Sequence, residues 1–422
     1  MDEFQDMTNH HTITRPPRIF LPENFRVTDW SSLQPWYDEL LARLIQSAED
    51  LRTWFRHRSE LEAVVADDLA WRYIHMTRFT DDQAASESYR FFVEELQPRI
   101  APLTDSLNRK AMESRYLGEL QRLPGYDILI RNLQKEIDLF REENIPLFTE
   151  INLEQQKYNR IAGAMTITFR GQELTLQQAG VLLQEPDRVL REEVYRLITA
   201  RRLQDREQLD ALFTRLVRLR HQVAVNAGFA NFRDYMFKAL GRFDYTVQDC
   251  YDFHEAVRLH VVPQLNRLME ARKANMKLTA LRPWDKAADV LGRAPLRAFH
   301  NGAELAEKGI KCFARIHPYL GYCLQTMREM GHLDLESRKN KAPGGYNYPL
   351  AELGIPFIFM NATSTLRDIV TLMHEGGHAA HNFLTRNLEL YHFKSTPSET
   401  AELASMGMEL ISMEAWDEFF PQ

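Results

Sequence analysis

The stretch His374-Glu375-Gly376-Gly377-His378 constrains this chain more than any other. Two histidines four residues apart share one face of a helix, because four residues overshoot a 3.6-residue turn by only about 40°. Both imidazoles can then reach one cation, with Glu375 projecting from a neighbouring part of that face. The pattern reads H-E-x-x-H, in which zinc takes the two histidines and the glutamate serves as general base. The bland reading is a pair of ordinary helix histidines. The Gly376-Gly377 pair costs a helix roughly 1 kcal/mol per residue against alanine, so something approaches the backbone closely, either a ligand or a packed neighbour.

A catalytic zinc needs a third protein ligand and one open position. The candidate segment is Ser395-Thr396-Pro397-Ser398-Glu399-Thr400-Ala401-Glu402, continuing to Glu409. Thr396 reads as an N-cap, Pro397 as the first helical residue and Glu399 as the reciprocal capping-box partner. Glu402 then falls in the first or second turn. Glu399 and Glu409 share its face and are rival ligands, and either can instead orient a ligand histidine from behind. His381, a turn beyond His378, reads as bracing or packing. Met373 and Met406 read as core.

Upstream, Leu333–Glu336 and Ile355–Asn361 are extended by composition, with Gly344-Gly345 and Pro349 marking a loop between them. Thr365 and Asp368 start the histidine helix in capping-box fashion. A strand leading straight into that helix can lay an extended peptide beside the metal through its edge. Tyr346 and Tyr348 read either as cleft lining or as loop anchors, and Arg338, Lys339 and Lys341 as a solvated run.

Helical periodicity dominates elsewhere. Ser31 or Ser32 caps a segment with Leu33, Trp36, Leu40, Leu44, Leu51 and Phe55 at helical spacing. Further helices are expected over Ala63–Arg78, Gln83–Leu96, Ile128–Glu142, Pro186–Ala200, Asp205–Asn226 and Val247–Asn275. A two-stranded hairpin is expected at 165–176, around Arg170-Gly171. The chain divides into an N-terminal helical lobe over 1–200 and a helical region with the catalytic lobe over 201–422. The metal-bearing lobe itself begins near Leu281-Arg282-Pro283-Trp284-Asp285.

A formal net charge of −7 argues against a nucleic-acid partner, which wants a basic stripe. Three cysteines with no C-x-x-C pair read as reduced, buried thiols. Met1-Asp2-Glu3-Phe4-Gln5-Asp6 lacks the apolar core of a signal peptide, and no apolar run approaches a membrane span. A soluble cytoplasmic protein is expected.

Several stretches together carry a family resemblance: His374 to His381, Ala401-Glu402-Leu403-Ala404-Ser405 with Glu409, Gly344-Gly345-Tyr346, Pro356 to Asn361, Asp368 to Leu372, and Asn226 to Tyr235. In order and spacing the chain resembles the oligoendopeptidase F and thimet oligopeptidase family of zinc metallopeptidases. The resemblance implies a mainly α, elongated multi-helix zincin-type fold with a small β element beside the metal helix. It implies one zinc ion per chain on His374, His378 and Glu402, with Glu375 as base. Gly345, Tyr346, Phe359 and Asn361 become candidates for contact with oligopeptide substrates. Members of that family continue past the third ligand, so the resemblance also implies that the helices beyond Phe419-Phe420-Pro421-Gln422 are missing and that activity is weak. A zinc carboxypeptidase and a non-catalytic peptide binder are the alternatives, and oligomeric state is left open.

Overall fold

The computed structural model describes residues 13–420; Met1 to Asp6 lie outside the described residues, as do Pro421 and Gln422. Helices carry nearly all of it. The helices Trp30–Ala42, Ala48–Arg78, Gln97–Met112 and Tyr126–Leu139 bury Leu33, Leu40, Trp54, Leu107 and Leu133 against one another. The first expected segment is two helices. Asp29, one turn ahead of Ser32, accepts the Ser32 N–H at 3.0 Å and caps the first. Ser47 accepts from Asp50 N at 3.0 Å and starts the second, leaving Leu44 exposed between them.

Two expected helices contain a widened π turn, at Phe92–Leu96 and Val257–Val261. Both lie directly ahead of a proline, Pro98 and Pro263, whose missing N–H removes an i→i−4 bond and whose ring crowds the preceding turn. The expected hairpin forms from β1 (Thr166–Phe169) and β2 (Gln172–Thr175), with Phe169 opposite Gln172. Its two turn residues, Arg170 and Gly171, have φ of 48° and 81°, the left-handed pair that matches the twist of the flanking strands.

A second sheet is built from residues 333–362. β3 (Leu333–Glu336) runs parallel to β5 (Phe357–Ala362), and β4 (Tyr346–Tyr348) pairs antiparallel to β5. The order is β3-β5-β4. The strand feeding the histidine helix is therefore central, with neighbours on both sides, and the edge role expected for it passes to β4. β4 itself lies inside what reads as a loop, because three residues between Gly345 and Pro349 are too few to show a period.

Arg338, Lys339 and Lys341 are not a solvated run; only Lys339 is exposed, paired with Glu173 at 2.8 Å. Lys341 is 2% exposed and donates to Asp334 Oδ1 at 2.8 Å and to the carbonyls of Asp334 and Glu336 at 3.0 and 2.8 Å. Arg338 and Arg78 close on the same Asp334 carboxylate at 2.7 Å. The loop also reaches back to the N-terminal helices, through Thr80 N→Asn340 O and Ala342 N→Thr77 O, both 2.8 Å, and Asn340 N→Gly163 O at 3.0 Å. Gly163 is required there, since a Cβ would stand 2.8 Å from the Lys341 carbonyl oxygen.

The helices Gly302–Ile316, Pro318–Glu329 and Leu366–Thr385 enclose a separate apolar cluster containing Phe313, Leu324, Leu372, Met373 and Phe383. Pro283-Trp284-Asp285 forms a tight turn against the helix Arg188–Gln204, with fully buried Asp285 paired to Arg188 and Arg191 at 3.0 and 3.2 Å. Of the cysteines, Cys312 and Cys323 are buried thiols and Cys250 is half-buried. Among the described residues, no helix is long and apolar enough to cross a membrane.

Candidate metal centre

β5 ends at Ala362, and the helix Leu366–Thr385 begins four residues later. Asp368 fixes that start: its carboxylate accepts from Thr365 N at 2.7 Å, Thr363 N at 2.9 Å and the Thr365 hydroxyl at 2.9 Å. Two turns on, the glycine pair admits two neighbours. A Cβ at Gly376 would fall 2.3 Å from the Phe313 ring, and one at Gly377 would fall 3.0 Å from Met408 Cβ and Ser405 Cα. The glycines thus serve packed neighbours, the helices Gly302–Ile316 and Ser398–Ser412.

The second of those helices starts differently from the expectation. Pro397 is its N-cap, no side chain caps it, and Glu399 is drawn away to Arg242 at 2.5 Å and to the Tyr245 hydroxyl. Glu399 is therefore neither beside the histidines nor bracing one of them. Glu402, one turn on, faces the histidine helix.

Three side chains converge. His374 Nε2 and His378 Nε2 are 3.2 Å apart, with Glu402 Oε2 3.4 Å from the first and Glu402 Oε1 3.7 Å from the second. Zinc–ligand bonds of about 2.0–2.2 Å in a tetrahedron require ligand atoms about 3.3–3.6 Å apart, so the triangle fits one face of such a site. His374, His378 and Glu402 form a group of His, Cys, Asp and Glu side chains close enough to hold one ion. Glu409, a further two turns along, meets His374 Nδ1 at 2.7 Å. An N–H at Nδ1 leaves Nε2 as a lone pair aimed at the centre. Burial, with His374 adding to it, holds His378 below the ordinary imidazole range, which also favours the neutral, ligating form.

Glu375 is 7% exposed. Burial pushes its carboxyl up to about 7; the His374 imidazole opposes that rise and the Glu402 carboxylate adds to it. The Asn347 side-chain amide of β4 donates to the Glu375 carbonyl at 3.4 Å. A Cβ on Gly345 would stand 3.6 Å from Glu375 Oε1, so bare backbone flanks the carboxylate.

The other expected residues divide. Gly345 and Asn361 line a cavity of about 540 Å3 that also holds His374, Glu375 and Glu409. Asn361 supports the glycine turn by donating to Ala342 O and Gly344 O at 2.8 and 2.9 Å. Phe359 is fully buried and stacks on Tyr346 at 4.7 Å, whose hydroxyl meets Thr77 at 2.7 Å. Both are packing residues rather than cleft lining, because an aromatic pair gains more from burial between helix and sheet than from facing water. His381 meets the Thr396 hydroxyl at 3.4 Å, outside the convergent group. Met373 is core, whereas Met406 is 53% exposed and lines the metal cavity. Asn347 and Gln177, which also lines that cavity, carry no motif that would have singled them out.

A model of Peptidase family M3 matches residues 181–309 and 320–421, more than half of the chain, and one of the Peptidase M3 N-terminal domain matches residues 20–140. Oligoendopeptidase F, plasmid, of Lactococcus lactis subsp. cremoris is 24% identical over 325 residues, 72% of this chain and 51% of that protein. The Oligoendopeptidase F homolog of Lactococcus lactis subsp. lactis (strain IL1403) is 25% identical over 326 residues, with the same shares. The chain thus spans about half the length of these curated relatives. The solved structure of PZ peptidase A with inhibitor 2 superposes with a TM-score of 0.89 at 25% identity, covering 94% of this chain and 70% of that one. Its mainly helical fold is that of these peptidases, and the chain belongs to peptidase family M3.

Proposed function

We propose that the chain is a zinc-dependent endopeptidase that hydrolyses short peptides. The observation that carries the reading is the convergence of the His374 and His378 Nε2 atoms and the Glu402 carboxylate, with contacts of 3.2–3.7 Å, beside a buried carboxylate on the residue after the first histidine. Bound there, zinc would supply Lewis-acid polarisation of a scissile carbonyl and acidification of a water molecule towards neutrality.

The chain's own groups account for the rest. Glu375, buried beside the two histidines, takes the proton of the attacking water and returns it to the leaving amine. Glu409 holds His374 in the tautomer whose Nε2 lone pair faces the centre. β4, the edge strand on the side of the histidine helix, offers backbone to an extended peptide, and Gly345 lets that peptide approach Glu375 without a side chain in the way.

Zinc analysis of Glu375→Gln beside a peptide digest tests this. The variant should retain zinc at one ion per chain and lose all hydrolysis, with internal cleavage products from the parent. Loss of metal would contradict the base assignment. Release of single C-terminal residues would favour a carboxypeptidase, and zinc-loaded protein that binds peptide without cleaving it would make the chain a binder.

A further inference from the structure

A second cavity, about 640 Å3, lies beside the hairpin, within the range of about 300–1,000 Å3 typical of ligand sites. It adjoins the metal cavity at two pairs of consecutive residues. Gln177 and Asn361 line the metal cavity, and Gln178 and Ala362 line this one. Its floor is apolar, with Phe169 and Phe299 7% and 3% exposed.

At its rim stands Arg170, on the hairpin turn. Its guanidinium lies over the Phe169 ring at 5.0 Å, and among the described residues no ion pair engages it. The one carboxylate in the lining, Glu336, is occupied by the Gly302 N–H at 2.6 Å, at the positive end of the helix Gly302–Ile316. The hairpin is held in place by the Glu173–Lys339 ion pair at 2.8 Å and the Thr175–Ser337 hydroxyl contact at 3.1 Å. An exposed guanidinium resting on an aromatic ring beside an apolar floor, with no acidic partner among the described residues, suits a carboxylate with an apolar side chain beside it.

Antiparallel addition of a peptide to β4 would bring one particular carboxylate here. A peptide added antiparallel to β4 runs in the direction of β5, since β5 is itself antiparallel to β4. Its C-terminal end therefore leaves past Asn361 and Ala362, where the hairpin cavity begins. We propose that this cavity is a subsite for the C-terminal residue of a bound peptide, with Arg170 taking the terminal carboxylate. The site selects substrates by the distance of the scissile bond from the chain end. The inference rests on the peptidase reading and deepens it.

The test uses zinc-loaded Glu375→Gln protein and one fluorescently labelled peptide, prepared as free acid and as C-terminal amide, with affinities read by anisotropy. The free acid should bind about tenfold more tightly than the amide, the usual scale for one charge-assisted pair. Arg170→Met, checked for an unchanged melting curve, should bring the acid down to the amide without weakening the amide. Arg170→Lys should keep part of the preference. Equal affinity for acid and amide in the parent, or a preference that survives Arg170→Met, overturns the subsite and leaves the peptide cleft standing. Failure of both peptides to bind overturns the cleft reading and the subsite with it.

Discussion

Two helical glycines should respond to the same substitution with opposite signs. Gly376 lies inside the helix Leu366–Thr385, and the Cβ of an alanine there would fall 2.3 and 2.5 Å from two carbons of the buried Phe313 ring. Carbon atoms sit comfortably at about 3.5–4.0 Å, so the overlap exceeds 1 Å and the ring or the helix must move. Overpacking a tight core costs about 1–3 kcal/mol, and the upper end applies where the obstacle is a rigid ring. Alanine returns about 1 kcal/mol of helix propensity. Gly376→Ala should therefore destabilise by about 1–2 kcal/mol net.

Gly407 lies inside the helix Ser398–Ser412, and a Cβ there meets nothing within 4 Å. The propensity term acts alone at that position, and Gly407→Ala should stabilise by about 0.5–1 kcal/mol. Urea unfolding of both variants reads the two signs directly. Trimming the obstacle, in the double variant Gly376→Ala with Phe313→Leu, should recover part of the loss. Zinc affinity should fall with Gly376→Ala and not with Gly407→Ala, because Gly376 lies between the ligand histidines. If both alanines shift stability in the same direction, the close-packing account of the glycine pair is wrong.

The site makes further demands. Glu402→Ala should lower zinc content sharply while Glu399→Ala leaves it unchanged; the reverse pattern in metal analysis would reassign the third ligand. Glu409→Gln should weaken zinc binding about 10–100-fold in a competition titration with a chelator, and unchanged affinity would remove Glu409 from the support of His374. Asp334→Asn should cost stability in a pH-dependent way. Burial would raise the Asp334 carboxyl, but Arg338, Lys341 and Arg78 outweigh it and hold the group below the usual carboxylate range. A depressed folded-state pKa contributes stability above the unfolded value of about 3.9 and loses it as pH falls through the folded value. The gap between parent and variant in urea midpoints should thus be full at pH 7 and narrower at pH 3, and an equal gap at both would refute the assignment.

What could be read from the residues tracks how local the determining interactions are. The histidine helix announces itself through spacing and through the Thr365/Asp368 start, both within a few residues, and the hairpin does so through Arg170-Gly171 between alternating strands. The glutamates of the helix Ser398–Ser412 show the limit. Glu399, Glu402 and Glu409 share a face by periodicity, and only contacts with Arg242 and Tyr245, more than 150 residues away, turn Glu399 aside. Lys341 was illegible for the same reason. A lysine is buried only where partners from elsewhere receive it, here a carboxylate and carbonyls of β3. The edge strand was hidden by its three-residue length.

These distant contacts bear on the centre rather than decorating it. The residues from Arg338 to Gly345 leave β3, bind Gly163, Thr77 and Thr80 of the N-terminal helices, and deliver Gly345 beside the Glu375 carboxylate. The position of β4 is therefore set jointly by the N-terminal helices and by the buried Lys341–Asp334 pair, whereas the histidines are set by the packing of Gly376 and Gly377. The convergent histidines and the edge strand thus rest on separate supports. A change at Phe313 or Met408 acts first on the histidines, and a change at Lys341 or Gly163 acts first on the strand that the proposed function assigns to the peptide. The H-E-x-x-H motif accounts for the first support alone, which is why the convergent histidine pair was legible in the sequence while the strand beside it was not.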